Sequence, residues 1–464
     1  MPRRHGWFNL TVAPIGGSCS EGTPRVSANG SRTVDRRSVL RGAGAALLVA
    51  GGVPLAGCGR PGPDTSRADI GDARPIRIGY VSPQSGPLEP FAAADQVVVD
   101  AIRVRLAQGV TTRAGLSAVE IIVRDGESDP VRAEAVAREL VSAERVDIML
   151  AASTPATTNP VADVCEESGV PCVTTISPWD SWFFGRGASM ATDFQWTYHF
   201  YWGSSDVHSV FLDMWDTLPT NRVVGALWGE DTDGRSWGDP VAGFPVAAAG
   251  RGYDLVDPGL YPSGTADFSA IIDRFIDARA EILVGIPTPP EFLAFWQQAA
   301  DRGFRPRIAT IARALLFPSV VTTLGPLGEG LALGAGWTPT YPYVSSLTEQ
   351  SAADLAQEFT DLTGEPWIQP LGFVHALFEV AVAALAGADS PDDREGIADQ
   401  LSQLEVDTVV GPLSWAAREV RNVATTPLVG GQWRIVEGRP EVVVVSNARA
   451  LSVPTADELR ELPR

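Results

Sequence analysis

Three short polar segments hold the side chains best placed for chemistry: Ser82-Pro83-Gln84-Ser85-Gly86-Pro87, Ser153-Thr154-Pro155-Ala156-Thr157 and Ser177-Pro178-Trp179-Asp180-Ser181-Trp182. Each closes an apolar, strand-like run and leads toward a helical pattern. Hydroxyls beside the free N–H groups of a helix start suit a small polar or anionic group. That is binding chemistry. No Gly-x-Ser-x-Gly elbow, phosphate loop or Gly-x-Gly-x-x-Gly after a strand occurs, so no catalytic residue and no cofactor is expected. Of His5, His199, His208 and His375, none pairs with a Cys, an Asp or a second His at ligand spacing, so no metal is expected either.

The elements that must carry these segments alternate. Strand patterns at 76–81, 119–123, 146–151 and 172–176 are separated by helical ones, with Asp129 as a helix cap and Pro130 at a first helical position. An aromatic stretch at 192–203 follows, and then the β/α pattern restarts at 222–228. It continues through strands at 253–257, 282–286, 307–311 and 330–337, the last directed back toward the first unit. Helices at 352–363, 371–386 and 394–404 precede closing strands at 409–415 and 432–445. This is an α/β fold of two doubly wound parallel-sheet units, and 464 residues are enough for two domains.

Composition excludes one class of partner. The net charge is −20, and without a lysine every formal positive charge is arginine. Nucleic acid, which wants basic stripes, is not an expected partner. At the N-terminus, Arg36-Arg37 before Val39-Leu40 resembles a twin-arginine export signal, and Leu55-Ala56-Gly57-Cys58 after the apolar run 42–54 resembles the bacterial lipobox. Residues 1–57 then read as a removed signal region and Cys58 as the lipidated residue. The Pro/Gly/Asp-rich stretch 58–74 reads as a tether that leaves the body outside the cytoplasmic membrane. Cys165 and Cys172 are spaced either for a disulfide in an oxidising compartment or for two buried thiols.

The order of features resembles the type I periplasmic solute-binding proteins of ABC importers, in their branched-chain amino acid–binding branch. The pieces are Ile-Arg-Ile-Gly-Tyr…Ser-Gly-Pro at 76–87, Arg124-Asp125…Asp129-Pro130, Ala152-Ser153-Thr154-Pro155-Ala156, and Gly169-Val170-Pro171…Ser177-Pro178. Gly264-Thr265-Ala266-Asp267-Phe268 and Val410-Gly411-Pro412-Leu413-Ser414 complete the set. The resemblance implies two lobes joined by three hinge crossovers and closing on a small solute, which an ABC permease then receives. Lobe one would be 75–196 with 333–425, lobe two 197–332 with 426–447, and 448–464 a tail.

Motif by motif, the resemblance implies ligand contacts at Phe91, Ser153, Thr154, Trp179, Ser181 and Trp237. It puts Arg313 near the family's amino-group-binding acid. An arginine there suits a carboxylate, held bidentately. The expected ligand is therefore a carboxylate-bearing or aromatic/apolar solute, with an amino acid or amide as the alternative. Trp179 and Trp237 are expected to become buried on closure. Glu230, Asp231 and Asp233 read more readily as caps and solvated groups than as ligand contacts. Two other functions share the scaffold: a ligand sensor signalling to a receptor and a secreted α/β hydrolase.

Overall fold

The computed structural model describes residues 74–390, 392–416 and 420–463. The expected signal region, Cys58 and the tether up to 73 lie outside the described residues.

Two sheets organise the body. The first runs Val423–Ala424, Thr197–Phe200, Cys172–Thr175, Ile148–Ala152, Ile76–Ser82, Val119–Asp125, and every pairing is parallel. The second centres on Val223–Gly229, Ile282–Gly285, Ile308–Ile311 and Ala332–Ala335, all parallel, and ends on the antiparallel strands Val429–Val436 and Arg439–Ser446. Helices cover both sheets, as parallel strands buried on two faces require. The local signals act as expected: Asp129 accepts a hydrogen bond from Arg132 N at 2.8 Å and caps the helix Pro130–Ser142. One described helix, Gln369–Gly387, is long and apolar enough to cross a membrane, but 78% of that window is buried inside the body.

Two lobe boundaries differ from expectation. Thr197–Phe200, assigned to lobe two from the sequence, pairs with Cys172–Thr175 in the first sheet. Ala332–Ala335, whose last three residues were assigned to lobe one, pairs with Ile308–Ile311 in the second. Both lie where one doubly wound pattern gives way to the other, and residue period cannot say which sheet such a strand joins. The tail also differs. Gln432 holds Arg460 through both ends of its amide, Leu462 N donates to Arg307 O at 2.7 Å, and Val453 is fully buried, so the last residues are strapped to lobe two.

The chain passes between the sheets at 201–203, 336–351 and 425–428. Tyr341, buried at the second passage, donates to Ala335 O at 2.7 Å and lies 3.4 Å from Pro427 O at the third. Tyr341→Phe should lower the unfolding free energy by about 1 kcal/mol, the net worth of one buried hydrogen bond. A denaturation midpoint identical to that of the parent protein would show that the hydroxyl ties nothing.

Candidate functional site

The strand ends of both sheets converge on a small cleft. Phe91, Thr154, Ile176 and Pro178 wall it from lobe one, and Tyr201 and Trp202 from the first passage. Asp233, Ile286, Arg313 and Leu316 wall it from lobe two. Phe91 meets Phe317 edge-on at 4.9 Å, so an aromatic contact joins the lobes beside the cavity. Pro155 opens the helix Pro155–Ser168, whose N-cap is Thr154, so the first-turn N–H groups stand next to the space.

Backbone strain gathers here. Ile176 has φ 70° and Arg313 φ 48°, both left-handed without being glycine. A β-branched residue in that region is a genuine outlier, and strain of this kind persists where the surroundings hold it in place for function.

The polar chemistry is concentrated in lobe two. Arg313 is buried, and its Nη1 lies 2.7 Å from Asp231 and 3.4 Å from Asp233. Its Nη2 donates to Ile286 O at 2.7 Å, while Nε has no partner. Despite the burial, the two carboxylates hold the guanidinium's pKa up. Asp231 caps the short helix Thr232–Trp237 by accepting from Gly234 N at 2.8 Å. Gly234 must be glycine, because a Cβ there would strike Gly229 O and push the helix off the strand. Asp233, one residue earlier, is thereby aimed at the cavity.

Burial pushes the Asp233 carboxyl up to about 7, helped by Asp231 and Asp180, while Arg313 and the nearby Ser181 hydroxyl oppose the rise. Asp233 Oδ1 is buried and makes no hydrogen bond.

The residues expected from the sequence fall into three groups. Phe91, Thr154 and Arg313 are brought together at the cavity. Ser153 and Ser181 do not line it; both hydroxyls are buried, and that of Ser181 lies near enough to Asp233 to pull its carboxyl down. Trp179 and Trp237 do not line it. Trp179 lies against Gly203, where a Cβ would run into its ring, and Trp237 stacks on Phe244 at 6.1 Å with the His208 ring edge-on at 4.7 Å. Trp237 is already fully buried, so it braces the core beneath Asp233 and has no exposure left to lose. Arg313 departs from the expected role because its fork is already occupied by Asp231, Asp233 and Ile286.

Asp233 was passed over because acids in a polar turn ordinarily cap, and its partner Arg313 lies eighty residues away. Nothing in the sequence marked Tyr201, Trp202, Ile176, Ile286 or Leu316 individually.

The remaining candidates are structural. His199 bridges Thr174 Oγ1 and Ser177 O at 2.8 Å each, stacks on Trp182, and is pushed down to about 3 by burial. Cys165 and Cys172, offered as a possible disulfide, are free and buried thiols in this structure. No metal-binding cluster occurs among the described residues.

Comparison with known proteins adds a family and a fold. A family described as periplasmic binding protein matches residues 75–438. Leu/Ile/Val-binding protein homolog 6 of Brucella suis is 24% identical over 234 residues, 50% of this chain and 55% of that protein. The match spans about half the length of the curated relatives. Among solved structures, the branched-chain amino acid transporter substrate binding protein LivJ of Streptococcus pneumoniae, in complex with isoleucine, superposes with a TM-score of 0.64 and 17% identity. That match covers 80% of this chain and 100% of LivJ. A solute binding protein of an R. palustris ABC transporter, in complex with 4-hydroxybenzoate, gives 0.64 and 15% identity over 84% and 98%.

Proposed function

Because the chain belongs to the periplasmic binding protein family, we infer that it is an extracytoplasmic solute receptor serving an ABC importer. A small organic solute, amino-acid-like, carboxylate, aromatic or amide, occupies the cavity between the lobes and is passed to a membrane permease. A lipid on Cys58 keeps the body at the outer face of the membrane. One observation carries this reading: a small cleft walled by both lobes, with polar atoms at its surface that make no hydrogen bond within the protein. Contacts to both lobes stabilise only the closed form, so the solute selects it.

The test is a thermal-shift screen of the body from residue 74 against amino acids, aromatic acids, short amides, amines and sugars. A solute that binds only the folded state raises the melting temperature by mass action. The expected result is one chemical class of hits that shift in proportion to the logarithm of their concentration. Turnover of a hit into a product would replace the receptor with an enzyme, and silence across all classes would remove the small-solute reading.

A further inference from the structure

We propose that the short helix Trp179–Gly185 is a latch that holds the two lobes together, with Asp180 as its bolt. The latch acts between the lobes themselves. Its test needs no solute, and its failure would leave the solute-receptor reading standing.

The helix belongs to lobe one, where Asn159 Nδ2 donates to Ser181 O at 3.3 Å. It also meets lobe two at three points. Asp180 Oδ1 accepts from Ser204 N at 3.0 Å. The Ser181 hydroxyl lies near Asp233. Gly185 lies over Thr232, where a Cβ on the glycine would sit 3.5 Å from the threonine methyl.

Asp180 is the polar tie among these. Ser204 opens the helix Ser204–Trp215, which is fixed to lobe two: Trp215 Nε1 donates to Thr310 Oγ1 at 3.1 Å, and Met214 lies against Gly430. The first N–H groups of a helix have no partner within it. Asp206 takes Gly203 N at 2.8 Å from the same helix, and Asp180 takes Ser204 N from the opposite lobe. A carboxylate at that end is favoured by the helix dipole as well as by the hydrogen bond.

On the lobe-one side, Trp179 N donates to Trp202 O at 3.2 Å, and the Trp179 ring covers Gly203. Lobe-one contacts therefore reach along the first passage as far as Gly203, and the lobe-two helix starts one residue later. Any turn of this passage falls between the two, and the Asp180–Ser204 bond spans it. The contact at Gly185 lies about 7.5 Å farther along the latch helix. One rotation axis cannot pass through both contacts, so the lobes cannot part without losing contact along this helix. A solute is then admitted by the open molecules, and the latch sets their fraction.

The experiment measures the distance between the lobes by pulsed electron paramagnetic resonance. Nitroxide labels go on Val131→Cys in lobe one and Val241→Cys in lobe two, both exposed positions. The full chain is used with Cys19→Ser and Cys58→Ser, while Cys165 and Cys172 are buried and stay unlabelled. Dialysis in urea and refolding strip any bound solute. In the parent the shorter distance should dominate. Asp180→Ala should raise the ratio of long to short distances about fivefold, the usual effect of losing a helix cap. Asp180→Asn, which keeps an acceptor without the charge, should shift it less in the same direction, and it serves if Asp180→Ala does not fold. Gly203→Ala drives a wedge into the same place. Its backbone, at φ −98° and ψ 167°, suits any residue, but the new Cβ would strike Trp179 Nε1. The wedge should favour the long distance, and Trp179→Ala in the same chain should return part of the short one. A distance distribution unchanged in both Asp180→Ala and Gly203→Ala, whatever happens to the melting temperature, would overturn the latch and leave the helix as lobe-one packing. A parent dominated by the long distance would overturn it too.

Discussion

Replacing Arg313 with methionine should destabilise the folded body by about 3–5 kcal/mol at pH 8, the usual cost of removing one partner from a buried ion pair. The size follows from what is left behind. Asp231 and Asp233 would face each other without a cation, and Asp233 is buried where water cannot stabilise its charge. The sign of the pH dependence follows too. Burial already pushes the Asp233 carboxyl up to about 7 despite Arg313, and without the guanidinium it rises further. Lowering the pH to 5 protonates Asp233 and removes the repulsion, so the loss should shrink in acid. Urea midpoints of parent and variant at the two pH values check this, and the double variant with Asp233→Asn should regain part of the loss at pH 8. An equal loss at both pH values would mean that Arg313 contributes packing and not charge.

The second large effect belongs to Asp95. Its carboxyl is buried, with Tyr80 Oη donating at 2.9 Å and Ser82 Oγ donating to the other oxygen. Burial pushes it up to about 7, against the pull of those two hydroxyls. In the unfolded chain it returns to the ordinary carboxylate range. Between roughly pH 4 and 7 the folded state therefore holds the proton more tightly, and stability falls as pH rises through that window. From pH 5 to pH 7 the single group accounts for about 2 kcal/mol. Asp95→Asn should remove that part of the slope, with the variant's stability measured relative to the parent at each pH. Asp233 tilts the parent in the same direction, so the difference between the two proteins isolates Asp95. Parallel stability–pH curves would show that Asp95 is ionised in both states.

Strand and helix positions were legible because their signals are local: period, Asp129 as a cap and Pro130 at a helix start. Thr154 was legible in a strand-to-helix loop and Phe91 through the family resemblance, and both line the cleft. Asp233 was not. A Gly-Glu-Asp-Thr-Asp-Gly turn reads as capping chemistry, and Asp231 does cap. What separates its neighbour is a guanidinium far along the chain and a glycine that lets the helix sit close, and neither has a periodic signature. The partners of Arg313 were hidden for a related cause. From sequence a buried arginine looks like an open fork, and only the fold shows which acids fill it. Trp179 and Trp237 were near the cleft in sequence, but side-chain direction sent one against Gly203 and the other into the core.

The tie made by Tyr341 has a mechanical consequence. Two bodies joined by three independent linkers can twist, slide and tilt. Here Tyr341 binds the second linker and faces the third, so that pair moves together. The first linker, at 201–203, is a separate covalent connection between the two sheets. With the second and third linkers tied, sliding of one lobe past the other would have to break that tie, whereas rotation about the linkers would not.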